Sequence, residues 1–211
     1  MKPKAGRGLL VTFEGIEGCG KSTQARRLYR YLKGKGIPCL LTKEPGGTVR
    51  ARALRRILLA PENTKLSPAA ELFLYLADRA QHVEEVILPA LKEGKIVLCD
   101  RYSDATFAYQ GGARGHPLKL LAEMDRLATG GIYPDLTFLL DVPVAVGLAR
   151  ARKRHRGQDR IEGESLRFHE KVRKAYLALG NKSRGRVVTL DGTRPIPEIQ
   201  KLIRRTLASR L

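Results

Sequence analysis

The residues with the clearest chemistry in this 211-residue chain are Gly15-Ile16-Glu17-Gly18-Cys19-Gly20-Lys21-Ser22, followed by Thr23. They match GxxxxGK[ST] in full. Glycines at this spacing let backbone N–H groups point inward around a phosphate, and a following helix adds the positive end of its dipole. Lys21 is placed to reach the β- and γ-phosphates of a nucleoside triphosphate, and Ser22 offers an oxygen to Mg²⁺. The plainer reading is a chance glycine-rich turn. Context argues against it. Gly8 to Glu14 reads as a short buried strand, and Lys21 to Lys35 as a helix stopped by Gly34 and Gly36.

Four further segments could serve an acceptor. Glu44-Pro45-Gly46-Gly47-Thr48 follows a strand-like run and, taken alone, could be only a turn. Asp78-Arg79 lies midway along a long helical pattern, one turn after Tyr75, and could be a solvated pair. Asp100-Arg101-Tyr102 follows Ile96-Val97-Leu98-Cys99. An acid at such a strand end, in a chain with a phosphate loop, is the usual carboxylate on the Mg²⁺ side. The run Arg150 to Arg160 holds five arginines, one lysine and one histidine. Alone it reads as a solvated face. Ahead of an amphipathic helix it reads as a lid whose arginines can swing onto a transferring phosphoryl group.

These segments need a frame. Strands are predicted at Gly8–Glu14, Pro38–Lys43, Lys95–Cys99, Leu136–Leu140 and Val187–Leu190. Helices are predicted at Lys21–Lys35, Thr48–Leu59, Ser67 to about Leu91, Pro143–Lys153, Glu164–Leu179 and around Ile196–Leu207, with one or two more between Ala105 and Thr129. Continuous apolar strands alternating with helices imply a parallel sheet covered on both faces, with its site beyond the carboxyl ends of the strands. The expectation is an α/β fold: one domain over residues 1–211, a five-stranded parallel sheet in three layers, and a short lid at about 150–162.

Composition narrows the field. Hydrophobic residues are 43% of the chain, too many for a disordered polymer. No stretch approaches the roughly 20 apolar residues of a membrane helix. Cys19, Cys39 and Cys99 are widely spaced and form no metal or disulfide pattern, so reduced thiols in the cytoplasm are expected. The net charge of +19 attracts polyanions without choosing among them. Motors carry extra domains, and a GTPase would show an NKxD signal that Asn181-Lys182-Ser183-Arg184 does not supply. A small-molecule kinase fits best.

In order along the chain, the phosphate loop, Glu44 to Thr48, Ala77-Asp78-Arg79-Ala80-Gln81-His82, Asp100-Arg101-Tyr102, Ala108-Tyr109-Gln110-Gly111, Pro134-Asp135-Leu136 and Asp159-Arg160-Ile161-Glu162 resemble the bacterial thymidylate kinase family. The resemblance runs from Leu10 to about Leu207. It implies the three-layer P-loop kinase fold and transfer of phosphate from ATP to dTMP with Mg²⁺. It places Gly15, Ile16, Glu17, Gly18, Cys19, Gly20, Lys21, Ser22 and Thr23 at ATP, with Ser22 and Asp100 at the metal. It places Glu17 toward the acceptor sugar, and Arg55 and Arg101 near the dTMP phosphate. Tyr75 would stack on thymine, Arg79 would reach its carbonyl, and Tyr109 would lie against C2′. Pro45, Ala105, Thr106 and Gln110 complete the dTMP pocket. The catalytic set is Lys21, Glu17 and Arg101 with lid residues Arg150, Arg154 and Arg160. A homodimer through long helices, including Leu72 to Leu91, is also implied.

Three positions depart from the family's pattern: Lys43 for an arginine, Ala105 for a serine, and Cys19 for a small alanine or serine. The rival readings are another nucleoside monophosphate kinase and a nucleic-acid-binding P-loop ATPase. The latter would need a basic stripe with interleaved aromatics, and aromatics are only 6% of the chain. No stable nucleic-acid partner is therefore expected.

Overall fold

A computed structural model describes residues 8–153, 158–183 and 185–211. Among these, five parallel strands form one sheet in the order β2-β3-β1-β4-β5. The strands are β1 (Leu9–Glu14), β2 (Cys39–Lys43), β3 (Ile96–Asp100), β4 (Leu136–Asp141) and β5 (Val187–Asp191). β1 lies at the centre, with Val11 in register with Leu98 on one side and with Leu136 on the other. Successive side chains of β1 point to opposite faces. Leu9, Val11 and Phe13 join the larger core, with Leu28, Val172 and Ile203. Leu10 joins Val97, Ile87 and Leu91 on the other face. Helices thus cover both faces, as the continuous apolar strands predict.

The helices follow the predicted order. α1 is Lys21–Gly34 and α2 is Ala51–Leu59. α2 starts three residues later than the sequence suggests, because the Thr48 hydroxyl accepts from Ala51 N at 3.0 Å. α3 (Pro68–His82) is capped by Ser67, as its Ser-Pro start implies. The single long helix expected to reach Leu91 is interrupted: α3 passes through a π-helical turn (Val83–Ile87) into α4 (Leu88–Lys92). A second π-helical segment (Phe107–Ala113) follows the short α5 (Ser103–Thr106). Then come α6 (Leu118–Thr129), α7 (Val144–Arg152), α8 (Leu166–Lys182) and α9 (Ile196–Ala208). Periodicity in sequence does not distinguish a π turn from an α turn, so neither segment was foreseen. No helix among the described residues is long and apolar enough to cross a membrane.

Candidate active site

Beyond the carboxyl ends of β1, β2 and β3 lies a cleft of about 500 Å³. One end is the loop between β1 and α1. Gly15, Gly18 and Gly20 have φ of 132°, 68° and 101°, a region open to glycine but costly for other residues. Gly18 is doubly constrained, because a Cβ there would lie 1.9 Å from the carbonyl oxygen of Gly147 on α7. Ile16 and Cys19 are buried beneath the loop. Thr23 N donates to Gly20 O at 3.1 Å, starting α1. Lys21 lines the cleft, and its ammonium donates to Ile16 O at 2.9 Å. The Ser22 hydroxyl donates to the Asp100 carboxylate at the end of β3. Both residues face the cleft. Two hard oxygen donors beside a phosphate loop fit Mg²⁺, which keeps waters and takes one or two protein oxygens alongside substrate phosphates.

Glu17 joins this loop to the rest of the cleft. Its Oε1 accepts from Arg101 Nη2 at 2.8 Å and from the Tyr109 hydroxyl at 2.5 Å. Its Oε2 lies 3.1 Å from Nδ1 of the fully buried His169. Burial alone would raise the Glu17 carboxyl. Arg101, helped by His169, Lys21 and Tyr109, holds it below the usual carboxylate range instead. Arg101 is the one described non-glycine residue with positive φ, at 73°. That conformation costs energy and persists only where the surroundings enforce it. Here the backbone N–H donates to Phe13 O at 3.0 Å, and the guanidinium also donates to Gly15 O and the Tyr176 hydroxyl, both at 3.1 Å.

The far end is built from buried charges. Arg79 is 2% exposed. Its Nε donates to Glu44 at 2.9 Å, and its Nη1 to Thr106 at 2.7 Å and to Asp125 at 2.8 Å. Its guanidinium also stacks 5.2 Å over the Tyr102 ring. Glu44 additionally meets His82 Nδ1 at 3.0 Å, and His82 Nε2 meets Thr42 at 2.6 Å. Asp78 accepts from Gly46 N at 2.7 Å, which shapes the Glu44–Thr48 turn. Burial, with the Glu44 charge nearby, pushes the Asp78 carboxyl up to about 6. Arg55 donates to Pro45 O at 2.8 Å. Tyr75, Ala105, Tyr109 and Gln110 close the wall.

The structure thus brings to one cleft all ten residues expected around the acceptor, together with Lys21, Ser22 and Asp100. The lid residues are placed differently. Arg150 donates to Gly192 O at 2.8 Å. Arg160 is buried, pairing with Glu71 at 2.7 Å and donating to Leu58 O at 2.8 Å. Arg154 lies outside the described residues. Asp159, Ile161 and Glu162 do line the cleft.

Sequence reasoning missed Glu71, Asp125, Gly147 and His169. A signal existed for Asp125. It sits four residues after Leu121 and four before Thr129, all three buried, so a charge occupies the apolar stripe of α6. A charge on that stripe has to find a partner.

A parallel sheet with a phosphate loop after its central strand, and an acceptor cleft across Glu17, defines a P-loop nucleotide kinase. Comparisons with known proteins agree. The thymidylate kinase family model matches residues 13–203. Thymidylate kinase of Geotalea daltonii is 49% identical over 210 residues, covering 97% of this chain and 98% of that one. Thymidylate kinase of Trichlorobacter lovleyi is 50% identical over 208 residues, with 96% and 98% covered. The crystal structure of thymidylate kinase from Ehrlichia chaffeensis superposes with a TM-score of 0.76 at 29% identity, covering 95% of this chain and 98% of that one. The chain belongs to the thymidylate kinase family.

Proposed function

We propose that this protein transfers the γ-phosphoryl group of ATP directly to the phosphate of dTMP, giving dTDP and ADP. The observation that carries this reading is Glu17. It belongs to the phosphate loop, yet both the Arg101 guanidinium and the Tyr109 hydroxyl converge on its Oε1, so donor and acceptor ends share one residue. Phosphoryl transfer through a loose transition state needs positioning and positive charge more than covalent chemistry. The loop amides and Lys21 hold the ATP phosphates. Arg101 and Arg55 hold the acceptor phosphate. Tyr75 offers an aromatic face to the base and Arg79 a guanidinium edge to its carbonyl. Tyr109 crowds the 2′ position and leaves a ribose hydroxyl without room. Ser22 and Asp100 would hold Mg²⁺, which supplies charge neutralisation at the phosphates when bound.

The 150–162 segment serves as the lid. Arg150 and Arg154 supply its charge, while Arg160 braces the lid's base through Glu71. Phe73 (60% exposed), Leu120 (44%) and Leu127 (86%) leave an apolar face on α3 and α6, which a second copy of the chain covers in a homodimer. The enzyme works in the cytoplasm.

A coupled assay of ADP release, with ATP, Mg²⁺ and dTMP, dUMP, UMP, CMP or AMP in parallel, tests the reading. Strong turnover with dTMP and weaker turnover with dUMP is expected, since one methyl group is worth only about 1–3 kcal/mol. Turnover confined to a ribonucleotide would overturn the roles given to Tyr75, Arg79 and Tyr109.

A further inference from the structure

Glu71, in the first turn of α3, is fully buried and gathers three donor residues, two from the second π-helical segment and its C-cap and one from beyond α7. Its Oε1 accepts from Gln110 Nε2 at 2.9 Å and from Arg114 Nε at 3.1 Å. Its Oε2 accepts from Arg114 Nη2 at 2.9 Å and lies 2.7 Å from Arg160 Nη1. Burial pushes this carboxyl upward, but the bonds from Arg114, Gln110 and Arg160 hold it below its ordinary value. It is therefore ionised, and an ionised carboxylate can only accept.

That fact removes a freedom from Gln110. A glutamine amide can usually turn either its oxygen or its nitrogen toward a neighbour. Against Glu71 only the nitrogen fits. The Gln110 carbonyl oxygen is left over, and no described residue donates to it. Gln110 sits in the second π-helical segment and lines the acceptor cleft. The cleft wall therefore presents an acceptor at this point, and its sign is set from behind.

We propose that Glu71 is a positioning residue for base selectivity. By fixing the Gln110 amide, it admits a pyrimidine whose facing ring nitrogen carries a hydrogen, as in thymine or uracil. It disfavours one whose facing ring nitrogen is itself an acceptor, as in cytosine. The inference rests on the pyrimidine monophosphate reading above and adds to it a residue that never touches the base.

The test compares kcat/KM for dTMP and dCMP in the unmodified enzyme, Glu71→Gln and Arg114→Met, with a thermal melt of each. In Glu71→Gln the new amide keeps its oxygen where Arg114 Nη2 and Arg160 Nη1 converge and turns its nitrogen toward Gln110, giving up the bond from Arg114 Nε. The Gln110 amide then reverses and offers a donor to the cleft. The dTMP-over-dCMP preference should fall at least about tenfold, the scale of one mismatched buried hydrogen bond. Arg114→Met removes two bonds from Glu71 but leaves the one to Gln110, so it should melt lower with its preference intact. An unchanged preference in Glu71→Gln, or an equal loss in Arg114→Met, would make Glu71 a structural strut and overturn the proposal. Where Glu71→Gln does not fold, Gln110→Met takes its place, and a preference that survives it overturns the proposal too. Absence of dTMP turnover in the unmodified enzyme is a separate result, which defeats the underlying reading of function.

Discussion

At the phosphate end of the cleft, Gly15, Gly18 and Gly20 turn the main chain so that its own N–H groups form the surface, and few side chains take part. At the acceptor end the surface is made of side chains, and each is held by another. Arg79 alone is bonded to Glu44, Thr106 and Asp125, which come from three separate segments. A backbone site needs a short contiguous sequence and tolerates changes around it. A side-chain site needs distant residues to agree, and it fails when any buried charge loses its partner. The first kind suits a ligand feature common to all nucleoside triphosphates. The second suits discrimination among bases.

The contrast breaks most visibly at Lys21, the side chain on which the backbone end depends most. Its ammonium bonds to the Ile16 carbonyl of its own loop, 2.9 Å away, and makes no ion pair among the described residues. Lys21→Ala should lower kcat by about 10³-fold or more, within the range reported for removing charge at a transferring phosphoryl group. The melting temperature should barely move. A large loss of stability would mean that the lysine is structural and that the two ends are built alike.

Asp125 sharpens the contrast from the other end. It is fully buried, bonds Arg79 at 2.8 Å, and its Oδ2 has no hydrogen-bond partner among the described residues. Asp125→Ala should destabilise the fold by about 3 kcal/mol, because it strips one partner from a buried guanidinium. It should also raise KM for dTMP more than it lowers kcat, since in the proposed reading Arg79 faces the base and not the phosphates. Denaturant titration and steady-state kinetics read the two effects separately. A stability loss with KM unmoved would detach Asp125 from the site.

The same contrast explains what was legible in the sequence. The loop from Gly15 to Ser22 could be read directly because its chemistry and its spacing lie in eight consecutive residues. The inner strands β1, β3 and β4 were legible because burial on both faces leaves largely apolar runs such as Leu9–Phe13 and Ile96–Cys99. The acceptor residues became legible only through the ordered resemblance, since Asp78-Arg79 by spacing alone could equally be a solvated pair. Glu71 stayed hidden because an acid in the first turn of a helix is unremarkable for dipole reasons, whatever its partners. Its donors Gln110, Arg114 and Arg160 are 39 to 89 positions away along the chain. The π turns stayed hidden because they add one residue to a helical turn without changing which residue types are favoured.

Glu14 supplies the smallest effect and the finest test, because it lies where the two ends meet. It ends β1, immediately before the loop, and accepts from Tyr102 N and the Tyr176 hydroxyl, both at 2.7 Å. Burial, with the Asp104 charge, pushes its carboxyl up from 4.5 to about 8, while Arg101 and the two hydrogen bonds pull the other way. A carboxyl raised in the folded state favours folding only when protonated. Its contribution is fully present below pH 4.5 and is lost as pH rises through about 8. Glu14→Gln keeps the shape and removes the titration. The variant should therefore gain on the unmodified enzyme as pH rises, its relative melting temperature climbing by about 5 °C between roughly pH 6 and 8. A gap that stays flat with pH would mean that Glu14 is ionised throughout. Arg101 would then be holding two buried carboxylates at once, Glu14 and Glu17, and the acceptor end would begin one residue earlier than the phosphate loop.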